Sequence, residues 1–289
     1  MEVKTIGFIG TGVMGRSMAG HLIDAGFKLK VYNRTKEKAS SLIDKGALWA
    51  SSPKEAAENC DVVISIVGYP ADVKEVWLGD NGAIQAMKPG AIGIDMTTST
   101  PALAKELTKE GLKHGVAICD APVTGGDVGA RNAALTILFG GSAAAFCSLE
   151  PVFKAMGKTY VRFGESGSGQ YAKICNQIAI AAGMMSVCEA LITARKTGLD
   201  EELVLKTLSG GAAGSFSLSS YGPRILKGDF NPGFYVKHFV KDMKIAVEVA
   251  KENNLQLPGL ELALKLYERL IEKGDGDLGT QALFKLYLN

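Results

Sequence analysis

Three segments carry residues whose types and spacing could do chemistry. Gly10-Thr11-Gly12-Val13-Met14-Gly15 has the G-x-G-x-x-G spacing and follows the apolar run Ile6-Gly7-Phe8-Ile9. Between a strand and a helix this spacing suits a dinucleotide. Gly10 allows a tight turn, Gly12 lets the backbone approach a pyrophosphate, and Gly15 lets helix and strand pack closely. The helix N-terminus turns unpaired N–H groups toward the phosphates. The second segment is Asp120-Ala121-Pro122-Val123-Thr124-Gly125-Gly126. The Thr124 hydroxyl and the N–H groups of Gly125 and Gly126 could cradle a carboxylate, although such a segment is more often only a turn. In the third, Gln170, Lys173, Asn176 and Gln177 fall on one helical face. Ile178-Ala179-Ile180-Ala181-Ala182-Gly183-Met184-Met185 then runs on almost uniformly apolar. If that helix is buried, Lys173 needs a reason, because an unpaired buried charge is costly. A lysine lying along the first turn with its ammonium in solvent fits the pattern equally well.

The second strand ends at Tyr32-Asn33-Arg34-Thr35, followed by Lys36 and Lys38. An NAD-specific site would place an acid there for the ribose hydroxyls. Asn33 carries no charge to repel a 2′-phosphate, Arg34 offers a planar fork, and Thr35 adds a hydroxyl. NADP is therefore the expected cofactor, with NAD at lower affinity, unless Arg34 is merely a surface arginine. Doubly wound sheets bind ligands beyond the carboxyl ends of their strands. Val67 and Thr98 stand at two such ends, and Thr98 could bond the nicotinamide or its ribose. Either could equally belong to an ordinary turn or cap.

The elements that must position these groups change character along the chain. Through residue 163 short apolar runs alternate with helical patterns: strands at Ile6–Ile9, Lys28–Tyr32, Val62–Val67, Ala91–Met96, Val116–Asp120 and Leu135–Phe139, with a first helix over Ser17–Ala25. That alternation predicts a parallel sheet. Beyond it a long helix is predicted over 170–197, about 42 Å long, then helices at 201–208, 217–227, 238–253 and 258–273, with no convincing strand. The expected fold is an α/β Rossmann-type doubly wound sheet followed by an all-α C-terminal domain, divided as 1–164 and 165–289. Thirty-two basic against 30 acidic residues, without a basic run, point away from nucleic acid and anionic membranes. Five scattered cysteines and three histidines show neither a disulfide framework nor metal-ligand spacing, so no metal is expected. The longest apolar run, Ile178–Cys188, is too short to span a bilayer. No signal-peptide pattern precedes the first strand, so cytoplasm is the default compartment.

Taken together, Phe8 to Gly15, Asp120 to Gly126, Gly167 to Gln177 and Lys241-Asp242 occur in an order and spacing that resemble the β-hydroxyacid dehydrogenase family along essentially the whole chain. The resemblance implies an NADP-dependent enzyme interconverting a small carboxylate-bearing semialdehyde (glyoxylate, succinic, tartronate or methylmalonate semialdehyde) and its hydroxy acid. It implies Lys173 as general acid and base, Thr124, Gly125 and Gly126 as the carboxylate loop, and Phe234 as a pocket aromatic. It also implies Lys241 near the nicotinamide, Asp242 as a neighbouring acid, and a homodimer or homotetramer. Several members carry asparagine four residues after the lysine. Here that place is Gln177, and Asn176 comes one earlier, so either carboxamide could orient substrate. A binding module without chemistry would lack the lysine, and an imine-reducing relative would carry an acid in its place.

Overall fold

The structure is a computed structural model and describes residues 2–288. Met1 and Asn289, the outer ends of the two expected domains, lie outside the described residues. The chain divides into two compact units, Met1–Lys173 and Ile174–Asn289.

The first unit is a nine-stranded sheet. Its strands are β1 (Thr5–Ile9), β2 (Lys28–Tyr32), β3 (Leu48–Trp49), β4 (Val62–Ser65), β5 (Ile92–Asp95), β6 (Ala117–Asp120), β7 (Val123–Thr124), β8 (Leu135–Gly140) and β9 (Gly157–Gly164). The order is β3-β2-β1-β4-β5-β6-β8-β7, with β9 also on β8. β1 to β6 are mutually parallel, so Ile9, Tyr32, Ser65, Asp95 and Asp120 finish at one edge. The runs of β1, β4, β5 and β6 are buried on both faces, as central parallel strands require, whereas β2 alternates and β3 is largely exposed. The connecting helices are α1 (Val13–Asp24), α2 (Ser40–Asp44), α3 (Pro53–Ala57), α4 (Pro70–Leu78), α5 (Pro101–Lys113), α6 (Gly126–Arg131) and α7 (Ala143–Met156).

Three local expectations change. The first helix starts at Val13, directly off the extended backbone of Gly12, and not at Ser17. β4 stops at Ser65: Ile66 N–H still donates to the Ile9 carbonyl, but Val67 N–H turns to a side chain, Thr97 Oγ1, at the neighbouring strand's end. The sheet is not wholly parallel, since β8 runs antiparallel to β6 and β7. The six-residue α6 is too short for a parallel crossover, which needs roughly a dozen residues or more.

The second unit is helical: α8 (Ser168–Lys196, whose first turns belong to the first unit), α9 (Glu201–Ser209), α10 (Gly222–Leu226), α11 (Val236–Glu252) and α12 (Pro258–Glu272). α8 ends before Gly198, which takes a left-handed φ of 76°. The stretch 217–227, expected as one helix, is a π turn over Ser217–Tyr221 followed by α10. Pro223, which lacks an N–H, sits in the first turn of α10. Met184, Cys188, Phe239, Met243, Tyr267 and Phe284 form the centre of this unit's core. Short 3₁₀ turns over Thr280–Tyr287, absent from the sequence reading, close it. α8 as a whole is long and apolar enough to cross a membrane by length and composition, with 44% of its most apolar window buried in the protein. The uninterrupted run Ile178–Cys188 was too narrow a measure of it. Its residues Ala181, Met184, Val187, Cys188 and Leu191 are buried in the core of the helical unit.

Candidate active site

The glycine loop is shaped by its own backbone. Gly10 has φ of 100°, and a Cβ there would lie 2.1 Å from the Ile66 carbonyl oxygen. A Cβ on Gly15 would lie 1.9 Å from the Gly10 carbonyl oxygen. Gly12 by contrast faces open space, with nothing within 4 Å of its Cβ position. Val13 and Met14 form the first turn of α1, which has neither a side-chain cap nor an acidic residue. Thr11 is buried, and its hydroxyl has no protein partner. An open glycine, uncapped N–H groups and an orphaned buried hydroxyl together fit a dinucleotide's phosphates.

Asn33 joins this loop to the end of β2. Its Oδ1 accepts from Thr11 N–H at 3.0 Å, and its Nδ2 donates to the Thr35 carbonyl at 2.9 Å. Its part is therefore structural as well as electrostatic. Arg34 is 81% exposed and donates to Asp72 at 3.1 Å. The carboxylate missing from the sequence neighbourhood of Arg34 is thus supplied from α4, where Asp72 also accepts from Tyr69 N–H.

At the ends of β5 and β6 lie two buried carboxylates opposite one another in the strand register. Asp95 accepts from Ser65 Oγ at 2.7 Å and Thr97 N–H at 3.1 Å. Burial pushes its carboxyl up to about 6 against those bonds. Asp120 accepts from Gly167 N–H at 2.6 Å and Gln170 N–H at 2.8 Å. Burial raises it too, to about 6, against the pull of the same N–H groups. Beyond Asp120, Thr124 is half-buried at the end of β7, and Gly125 and Gly126 both take positive φ, 123° and 63°. Nothing lies within 4 Å of the Gly126 Cβ position. Consecutive residues of this kind open the backbone to an anion.

Lys173 is buried, 7% exposed, on the second turn of α8. In the helical unit Asn176 Nδ2 donates to Gln177 Oε1 at 2.8 Å, and Gln177 Nε2 donates to Asp242 at 2.6 Å. Lys241 pairs with the other Asp242 oxygen at 2.9 Å. Gln177, Asp242 and Lys241 are thus brought into one buried network with Asn176 at its margin. Phe234 stands apart from that network, half-buried with its ring 5.5 Å from that of Phe239. Thr98 is half-buried beside Thr97 at the end of β5. Asp95 and Asp72 are additions without a sequence signal, and Gln170, placed on the lysine's helical face by its spacing, proves to bond the 97–99 loop. Among the described residues no group of three or more His, Cys, Asp or Glu is placed to hold a metal ion.

Fold and glycine loop define a dinucleotide-binding domain, and comparison with known proteins supplies the class. A family model for the NAD binding domain of 6-phosphogluconate dehydrogenase matches residues 5–164. One for the NAD-binding domain of NADP-dependent 3-hydroxyisobutyrate dehydrogenase matches residues 167–287. A probable mitochondrial 3-hydroxyisobutyrate dehydrogenase-like protein of Arabidopsis thaliana is 53% identical over 280 residues, covering 96% of this chain and 83% of that one. The 2-hydroxy-3-oxopropionate reductase of Escherichia coli is 35% identical, covering 96% and 95%. The solved 3-hydroxyisobutyrate dehydrogenase of Mycobacterium tuberculosis with L-serine superposes with a TM-score of 0.88 at 27% identity, covering 99% of both chains. The chain belongs to the β-hydroxyacid dehydrogenase family. It is an NAD(P)-dependent oxidoreductase of hydroxy acids and semialdehydes.

Proposed function

We propose that the protein is an NADP-preferring reductase of a small carboxylate-bearing aldehyde, with Lys173 as proton donor. The observation that carries this reading is Lys173 itself, a lysine 7% exposed in the second turn of α8. The names of relatives support the substrate class: 2-hydroxy-3-oxopropionate is an aldehyde that bears a carboxylate. Residues 1–164 would serve as nucleotide domain and 165–289 as the helical substrate and oligomerisation domain of a homodimer or homotetramer.

The loop Gly10–Gly15 would hold the pyrophosphate, and Arg34 and Thr35 the 2′-phosphate, with Asn33 keeping the two loops in register. Val67 and Thr98 would flank the nicotinamide half. A bound reduced nicotinamide supplies the hydride. Thr124, Gly125 and Gly126 hold the substrate carboxylate. The Lys173 ammonium stabilises the negative charge building on the carbonyl oxygen and then gives that oxygen its proton. In the reverse direction the neutral amine takes the hydroxyl proton. The family resemblance assigns Phe234, Lys241 and Asp242 to the pocket wall, the nicotinamide and the substrate respectively. Both ends of the Gln177 carboxamide are engaged, so Asn176 is the carboxamide proposed to meet substrate, with Gln177 holding it.

The test is NADPH consumption with a panel of glyoxylate, succinic, tartronate and methylmalonate semialdehydes beside cyclic imines. Turnover of one or more carboxylate-bearing aldehydes is expected. Turnover of imines alone would overturn the reading.

A further inference from the structure

We infer that Asp120 and Gln170 are positioning residues that fix the register of Lys173 by tying the first turn of α8 to the ends of two strands. The inference rests on the reading of Lys173 as proton donor. The first N–H groups of a helix have no partner within it. Here Asp120, the last residue of β6, takes two from the start of α8: Gly167 N–H at 2.6 Å and Gln170 N–H at 2.8 Å, one on each carboxylate oxygen. The Gln170 side chain makes a second tie. Its Oε1 accepts from Ser99 N–H at 2.9 Å and its Nε2 donates to the Thr97 carbonyl at 2.8 Å. Both residues are wholly buried.

The surroundings leave the clamp little play. A Cβ on Gly169 would lie 2.3 Å from the Leu138 carbonyl oxygen and 2.8 Å from an Asp120 carboxylate oxygen. A Cβ on Gly140 would lie 2.6 Å from the other carboxylate oxygen and from Gly169 N. Backbone of α8 and β8 is therefore packed directly around the carboxylate. Lys173 follows Gln170 by three residues, about 4.5 Å along the axis. A rotation or fraying of the first turn passes straight to Lys173. Proton transfer is intolerant of such shifts, since a displacement of about 1 Å can cost on the order of 100-fold in rate.

The test compares wild type, Asp120→Asn, Gln170→Leu and Lys173→Ala in the full chain. Measured are kcat, KM for NADPH and hydrogen exchange of the amides over 167–172. Asparagine keeps one acceptor but sets an N–H₂ against the second backbone donor. Leucine keeps the volume of Gln170 and removes both bonds. Both variants are expected to lower kcat by about 10- to 100-fold while KM for NADPH moves less than about threefold. Exchange over 167–172 should rise while that over α1 stays as in wild type. Wild-type kcat in either variant overturns the inference, as does a loss that falls equally on NADPH binding. Retained turnover in Lys173→Ala is a different failure. It removes the proton-donor reading and with it the consequence drawn for Lys173, while the exchange result still decides whether the clamp holds the helix.

Discussion

The glycine loop and the first turns of α8 both fix groups at the carboxyl edge of one sheet, but from different materials. The loop is made of backbone. Its constraints are contacts a Cβ would violate, 2.1 Å from the Ile66 carbonyl oxygen at Gly10 and 1.9 Å from the Gly10 carbonyl oxygen at Gly15. The start of α8 is made of side chains. Its anchors, Asp120 and the 97–99 loop, are 50 and more residues away from Gln170. At Gly10 and Gly15 the backbone leaves no room for an added atom, whereas a side-chain-built site tolerates no lost partner. The two should therefore break in different ways under substitution.

The largest effect is expected at Lys173. General acid catalysis contributes about 100- to 10,000-fold, and Lys173 also stabilises charge on the oxygen. Lys173→Ala should lower kcat by on the order of 1000-fold and leave NADPH affinity nearly unchanged. Lys173→Arg should rescue little, because guanidinium keeps its charge but holds its proton. Near-normal turnover of the arginine variant would make Lys173 an electrostatic anchor only. Titration of NADPH binding by fluorescence checks the second half of the expectation.

Within the glycine loop, two substitutions of the same size should separate. Gly15→Ala puts its methyl against the Gly10 carbonyl and should lower both Tm and NADPH affinity. Gly12→Ala meets no protein atom. It should leave Tm within about 1 °C and weaken NADPH by on the order of tenfold, a cost of about 1.4 kcal/mol. If Gly12→Ala binds NADPH as wild type does, the open space at Gly12 is not where the phosphates lie.

This contrast also explains what the sequence made legible. Gly10, Gly12 and Gly15 announce themselves because their spacing falls within six residues, directly after an apolar run. The apolar runs of β1, β4 and β5 did the same, being buried on both faces. Lys173 could be placed on a helix face from its spacing with Gln170 and Gln177, yet its role needed a family resemblance. The partners that bury its helix turn, Asp120 and the 97–99 loop, are distant in sequence. β3, β7 and β9 were missed for a similar reason: Leu48-Trp49 and Val123-Thr124 are too short to show a period, and β9 is largely exposed. Asp72 lay unseen because an ion pair between the end of β2 and α4 leaves no pattern in either segment.

That ion pair sets the next effect. Arg34 is mostly exposed, where charge pairs are screened and worth little. Arg34→Ala should weaken NADPH by about tenfold and NADH by less than about twofold. Equal losses would end the NADP assignment. Asp72→Asn removes a negative charge beside the guanidinium while its carboxamide oxygen still accepts from Tyr69. It should favour NADPH over NADH by a further factor of about two to three, through release of Arg34 from a competing partner. A fall in NADPH affinity would instead make Asp72 the residue that aims Arg34.

The smallest effect separates the two carboxylates at the strand ends by use. Asp120 is tied to α8, whereas Asp95 is bonded only within the first unit's strand ends, to Ser65 and Thr97. Burial raises Asp95 from 3.8 to about 6. The folded chain then binds more protons than the unfolded one between those values, so stability is present below about pH 4 and is lost as pH rises through 6. The full excursion corresponds to on the order of 3 kcal/mol. Asp95→Asn cannot titrate, and its carboxamide oxygen can still accept from Ser65 and Thr97. Its Tm relative to wild type should therefore climb between pH 4 and pH 7, by a few degrees in all, with kcat unchanged within about twofold. Asp120→Asn should show the same kind of Tm trend, offset by its unpaired Gln170 N–H, but with the loss of kcat that Asp95→Asn lacks. A Tm difference for Asp95→Asn that stays flat across this window would mean that Asp95 titrates as an ordinary carboxyl, the bonds from Ser65 and Thr97 cancelling the effect of its burial.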